Sequence, residues 1–323
     1  MAPDDPSALR WFARRVVRHV RWARREGLRR LIVEDRLDPR ERWQAAAVKR
    51  RWRRRHPVPP GSARPVYVVG LQRSGTNMLL RRIGAAPEVE VRGENDRRVF
   101  RRFRLRPDAV LHDVVRRSRH AIVLVKPLCD SHRVDELLAL TGGGAVWMWR
   151  DVDERARSEV AKFGDANLRA LRAIADGTIG DGWQGGRLDD DARELVRSFD
   201  YDTMDRHTAA ALFWYVRNRL FFTLGLHRRA DVLLLAYREA VGDPDGTDAR
   251  LAAFLGLPGL PGSPAGSAGQ PGSAGQPGSA GQPGSAGASG SGGALLPLDP
   301  RVRELCDSLT ARLVAAGREA ARG

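Results

Sequence analysis

The residues of this chain best suited to chemistry begin with a short polar run, Arg73-Ser74-Gly75-Thr76-Asn77, directly after an apolar stretch that starts at Val66. The frame Gly70-x4-Gly75 matches the glycine spacing of a phosphate-holding loop, in which backbone N–H groups and a helix N-terminus face an anion. Nucleotide triphosphatases place a lysine and then a magnesium-binding hydroxyl after the second glycine, and here Thr76 and Asn77 stand in those places. A loop whose cation has moved back to Arg73 suits one terminal phosphate-like group better than a triphosphate with its metal. Further polar groups close later apolar runs. Glu94 follows the short extended segment Glu88–Val91, Lys126 ends Ala121–Val125, and Arg150 ends Gly144–Trp149, with Ser158 eight residues beyond it and Lys162 a further turn on. In open α/β sheets ligands gather at the carboxyl ends of strands. An arginine there can grip a phosphate bidentately and a serine can add a hydroxyl bond. A carboxylate such as Glu94 can take a proton from an acceptor hydroxyl, and this reading is favoured over a surface glutamate that pairs a neighbouring arginine. His132, six residues after Lys126, is a second candidate base.

In this order these segments resemble sulfotransferases that use 3′-phosphoadenosine 5′-phosphosulfate (PAPS). Arg73-Ser-Gly-Thr-Asn77 is similar to the family's 5′-phosphosulfate loop, Arg/Lys-Ser-Gly-Thr-Thr. Arg150 with Ser158 is similar to its 3′-phosphate pair, and Lys162 stands where the tyrosylprotein branch has a basic residue. Glu94 lies 21 positions after Arg73, the separation of the catalytic glutamate in that branch. The resemblance implies that Lys126 supports the transferring sulfuryl group. Tyr237, followed by Asp243-Pro244 and Phe254-Leu-Gly-Leu257, is similar to the segment whose tyrosine lies near the adenine, but Arg238-Glu239-Ala240 departs from the family's Glu-Asp-Leu. The implied activity is metal-free sulfuryl transfer from PAPS to a hydroxyl or amine. Glu94, Arg73 and Lys126 would be catalytic, and Arg73, Ser74, Gly75, Thr76, Asn77, Arg150, Ser158, Lys162 and Tyr237 would hold the nucleotide. The acceptor, whether glycan, lipid, peptide or small metabolite, is left open.

The elements that must carry these groups follow from periodicity. Apolar runs around Val66, Val89, Ile122, Val146 and Leu233 read as buried strands, and the segments between them as helices. The expected fold is a three-layer α/β P-loop-like domain with a central parallel sheet over residues 61–261. Helices are expected from Asn77 to Ala85, through the arginine-rich stretch up to Arg106, over Asp205–Leu226, where the aromatic stripe reads as core, and over Leu298–Arg322, docking back on the domain as part of 294–323.

Composition agrees with a genuine core: 323 residues, 42% hydrophobic. The net charge of +16 is concentrated early, with 18 Lys/Arg against 7 Asp/Glu in residues 1–60. There, Leu9, Phe12, Val16, Val20, Leu28, Leu31 and Ile32 mark a basic amphipathic helix over 9–33. It could lie on an anionic membrane surface; packing on the parent domain is the commoner use of such a helix, and a nucleic-acid partner is not expected. Pro57 and the prolines after it mark the boundary of this arm. Residues 266–287 repeat Gly-Ser-Ala-Gly-Gln-Pro with period six, which reads as a disordered linker over 262–293. It falls where many sulfotransferases supply a further PAPS-binding loop. The interrupted apolar character of the N-terminus and the two widely separated cysteines, Cys129 and Cys306, lead to the expectation of a reduced, cytoplasmic protein without bound metal.

Overall fold

A computed structural model describes residues 39–261 and 294–320. The helix expected over 9–33 and the linker expected over 262–293 lie outside these residues. The chain divides into two units, Met1–Val58 and Pro59–Gly323. The described part of the first is one helix, α1 (Pro39–Arg55), with three arginines in its last turn, where cations complement the helix dipole, and Trp52 stacked on His56 at 5.0 Å.

The second unit is built on five parallel strands: β1 (Arg64–Gly70), β2 (Val89–Arg92), β5 (Ile122–Val125), β6 (Gly144–Trp149) and β7 (Val232–Ala236). Their order is β2-β5-β1-β6-β7, with Val66 opposite Leu124 on one side and Val68 opposite Val146 on the other. Branched and aromatic residues, buried on both faces, are what a central parallel strand requires. Alternation along β1 divides the core. Val66 and Val68 face a layer containing α2 (Thr76–Gly84) and α11 (Pro244–Leu255), through Leu79, Ile83, Leu251 and Leu255. Tyr67 and Val69 face the opposite cluster, with α3 (Asp108–Arg116), α4 (Val134–Thr141), α6 (Ala166–Ala175), α7 (Asp190–Arg197) and α8 (Arg206–Asn218). The result is a three-layer α/β domain with a central parallel sheet.

Several expected boundaries change. The stretch up to Arg106 is not helical: it forms turns and a hairpin, β3 (Phe100–Arg101) with β4 (Arg104–Leu105). Arg102 and Phe103 take positive φ at its tip, and the Asp130 carboxylate accepts hydrogen bonds from Arg104 Nε at 2.6 Å and Leu105 N at 2.7 Å. Tertiary anchoring thus overrides the helical preference of the arginines. The segment Asp205–Leu226 breaks after α8 into α9 (Leu220–Thr223), while Phe213, Trp214 and Phe221 are all buried.

The remaining elements are α5 (Val152–Phe163), α10 (Tyr237–Gly242) and α12 (Pro300–Ala320). Helix α12 buries Val302, Cys306, Leu309 and Leu313 in the same cluster as α8. Its Arg303 donates twice to the buried Asp153 carboxylate at 2.8 Å, and Leu296 N adds a third bond. No helix among the described residues is long and apolar enough to cross a membrane.

Candidate functional site

The carboxyl ends of β1, β5 and β6 open on one edge of the sheet, and the residues singled out from the sequence are distributed around it. Gly70 leaves β1 at φ 123°, with the Met148 carbonyl oxygen 2.2 Å from where a Cβ would stand, so only glycine permits this turn beside the neighbouring strand. Arg73 follows at φ 70° and Gly75 at φ 93° as the residue before α2, where it makes no side-chain cap. Uncapped, the N–H groups of Gly75, Thr76 and Asn77 have no acceptor among the described residues. Ser74 is fully buried, and its Oγ also lacks a partner among them. A buried hydroxyl without a bond costs about 1–3 kcal/mol. An anion seated in the loop would satisfy this hydroxyl and the three N–H groups together.

Two of the sequence candidates cross over this loop. Arg73 Nε donates to Ser158 Oγ on α5 at 2.8 Å, joining the loop to the helix that follows β6. Arg150 lies with its guanidinium carbon 4.3 Å from the centre of the Tyr237 ring, donates to the Arg73 carbonyl at 3.4 Å, and pairs with Glu154 at 3.0 Å. Tyr237 in turn packs on Gly75, where a Cβ would lie 2.4 Å from its ring. Arg73, Ser74, Gly75, Arg150, Ser158 and Tyr237 therefore lie together in one connected group. Lys162 stands one turn beyond Ser158 on α5, half-buried.

The other side of the loop holds the carboxylate. Lys126, at the end of β5 and buried, pairs its Nζ with Glu94 Oε2 at 2.9 Å and also donates to Asn77 Oδ1. Burial pushes the Glu94 carboxyl above its ordinary range, against the opposing pull of Lys126. That is the direction expected of a group that exchanges protons near neutral pH. His132 occupies a different setting. Burial, and next the guanidinium of Arg217, push its imidazole down to about 3, so it stays neutral and is a weak proton acceptor.

Sequence reasoning missed the supports. Arg155, fully buried, donates to Gln72 O at 3.3 Å, Asn167 Oδ1 at 2.7 Å and Ala210 O at 3.0 Å, and pairs with buried Glu159 at 3.2 Å. It fixes the residue before Arg73 from beneath. A signal existed: Val152, Arg155, Ala156 and Glu159 have the i, i+3, i+4, i+7 spacing of a buried helix face, and two of the four are charged. Trp214, read as core, also donates its indole N–H to the Arg150 carbonyl at 2.8 Å and so fixes the end of β6. Glu154 accepts from Arg238 Nε at 3.0 Å as well as from Arg150. Arg238 is thus engaged at the place where the segment departs from the family pattern.

No protein-family model matches this sequence, and no curated protein matches it. Among solved structures the chain is similar to a sulfotransferase from Alicyclobacillus acidocaldarius, at 15% sequence identity and a TM-score of 0.38, over 80% of this chain and 95% of that one.

Proposed function

We propose that this protein transfers a sulfuryl group from PAPS to a hydroxyl or amine. The observation that carries the reading is the junction of the glycine loop with helix α5, Arg73 Nε to Ser158 Oγ at 2.8 Å, beside Arg150. On this reading two anion-binding regions would adjoin: backbone N–H groups and Ser74 for a 5′-phosphosulfate, and Arg150 with Ser158, and Lys162 further along α5, for a 3′-phosphate. Tyr237, stacked under the Arg150 guanidinium, would stand near the adenine.

In this mechanism the acceptor O–H gives its proton to Glu94, whose raised proton affinity suits a base working near neutrality. The freed oxygen pair attacks sulfur in line. The bond between sulfur and the 5′-phosphate oxygen breaks, its electrons remain on that oxygen, and 3′-phosphoadenosine 5′-phosphate leaves. Lys126, fixed between Glu94 and Asn77, and Arg73 offset the charge that develops on the sulfuryl oxygens and the departing phosphate. Lys126 touches both the base and the loop, so it couples proton removal to the group being transferred.

Calorimetric titration with 3′-phosphoadenosine 5′-phosphate, set against ATP with Mg²⁺, tests the reading. Tighter binding of the bisphosphate, without a metal requirement, is the expected outcome. Preference for ATP with Mg²⁺ would assign the loop to phosphoryl chemistry, and binding of neither would remove the enzyme reading.

A further inference from the structure

Beyond the Glu94–Lys126 pair lies a cluster that the transfer chemistry does not use. Residues 128–133 form a short 3₁₀ turn that carries Cys129, Asp130 and His132, and it meets Trp183–Gly185, also 3₁₀, and Arg217 of α8. Arg217 is 3% exposed. Its Nη1 donates to Gly186 O at 3.0 Å and Gln184 O at 3.3 Å, and the Trp183 ring centre lies 5.6 Å from the guanidinium carbon. Nε and Nη2 have no acceptor among the described residues, and no carboxylate there pairs with this guanidinium.

Other cations around the edge are compensated or exposed: Lys126 pairs with Glu94, Arg104 with Asp130, Arg155 with Glu159 and Arg150 with Glu154, while Arg73 is exposed and bonds Ser158. Arg217 is the exception, and a buried charge without a counter-ion is costly. The nearby carboxylates are engaged elsewhere, Asp130 with Arg104, Glu136 with Arg133 and Arg187, and Glu94 with Lys126. His132 packs on Gly186, where a Cβ would stand 2.6 Å from its ring, and its Nδ1 is buried without a partner. Cys129 sits on this turn three residues after Lys126, and its thiol feels the charges of Glu94, Asp130, Arg104 and Arg217. Burial holds it protonated, at about 12.

We propose that the acceptor is an anionic hydroxyl compound, whose carboxylate, phosphate or sulfate group is received by Arg217 and the His132 ring while its hydroxyl faces Glu94. This rests on the sulfuryl-transfer reading for the hydroxyl; the anion subsite itself does not. The unpaired guanidinium supplies charge and two free donors, and the neutral imidazole supplies an N–H without competing charge. A neutral acceptor would leave Arg217 buried and uncompensated in the complex.

The test uses Cys129 as a built-in reporter in the full chain. Its alkylation by iodoacetate and by iodoacetamide is followed by peptide mass spectrometry, and the ratio of the two rates reads the local field, because the reluctance of the thiol cancels. The ratio should fall by about fivefold or more in Arg217→Gln and be retained in Arg217→Lys. In the wild type, 4-hydroxyphenylacetate or 4-hydroxybenzylphosphonate should protect Cys129 at concentrations about tenfold lower than 4-hydroxyphenylacetamide does, and the better of the two anions identifies the group. This arm needs no variant, so a folding defect in Arg217→Gln cannot obscure it. Equal protection by the amide, no protection by any of the three, or an unchanged ratio in folded Arg217→Gln overturns the proposal. Titration with 3′-phosphoadenosine 5′-phosphate separates the failures. If the nucleotide binds and the anion preference is absent, only this inference falls; if the preference is present and the nucleotide does not bind, the sulfuryl reading falls and the anion subsite stands.

Discussion

The two flanks of the sheet edge are built on opposite plans. On the loop side, Arg73, Ser74, Gly75, Arg150 and Ser158 come from two short segments, and Arg150 is already paired, with Glu154. On the far side, His132, Gly186 and Arg217 come from three separated segments, and the buried cation has no pair. In the proposed function, the flank with internal counter-charges would exchange Glu154 for a phosphate on binding. A flank without them keeps its charge poised for a ligand that brings its own. Lys126 bonds Asn77 of the loop and Glu94, and stands three residues before Cys129 of the far turn; in the proposed transfer this pair would handle the group passing from donor to acceptor.

The largest effect that would break this division belongs to the centre. Glu94→Gln keeps the shape and removes the proton acceptor, so single-turnover transfer should drop by about 10²–10⁴ with nucleotide affinity intact. In the wild type the rate should rise with pH through a group above the ordinary glutamate range, since the base works deprotonated and burial raises it. A near-wild-type rate in Glu94→Gln, with loss of transfer in His132→Ala, would move the base to His132.

Next is the strut beneath the loop. Arg155→Met leaves Glu159 buried and unpaired, at a cost of about 3–5 kcal/mol of stability by denaturant titration. Arg155→Met with Glu159→Leu should recover most of that stability and still bind nucleotide more weakly, because the Gln72 carbonyl loses its donor. Full recovery of both would show that Arg155 supports the fold alone.

Arg150→Ala should cost about 2–4 kcal/mol of affinity for 3′-phosphoadenosine 5′-phosphate, since it removes a charge-assisted contact in a partly buried site. Its effect on adenosine 5′-phosphosulfate, which lacks the 3′-phosphate, should be much smaller. Equal losses for the two ligands would detach Arg150 from the 3′-phosphate.

The smallest effect tests the far flank through stability. His132 is pushed down to about 3 when folded and titrates near 6.5 when unfolded, so between those values the unfolded chain binds more protons and stability falls as pH falls. His132→Gln removes this slope, worth up to about 1.4 kcal/mol per pH unit. Wild type should therefore lose about 2–3 kcal/mol more than the variant between pH 6 and pH 4. Parallel curves would mean that the imidazole is not held neutral.

Much of the loop flank was legible in the sequence because its parts are local. Glycine frame, strand end and helix start follow one another within a dozen residues, and strands buried on both faces announce themselves as apolar runs: Val66, Val89, Ile122, Val146 and Leu233 each lie in a strand of the sheet. The same local signal misled over the stretch ending at Arg106, where the helical preference of arginine yields to the Asp130 carboxylate pinning Arg104 and Leu105 across 25 residues or more.

What the sequence determined by itself is the five strands of the parallel sheet, the glycine-framed loop and the placing of Lys126 and Arg150 at the ends of apolar runs, because those depend on residue types a few positions apart. Only the tertiary structure decided that Lys126 joins Glu94 to Asn77, that Arg73 reaches Ser158, that Arg155 holds the loop from below, and that Arg217 is buried without a counter-charge. Each of these depends on which distant segment comes to lie opposite. That follows from strand order and helix packing, which no local spacing encodes.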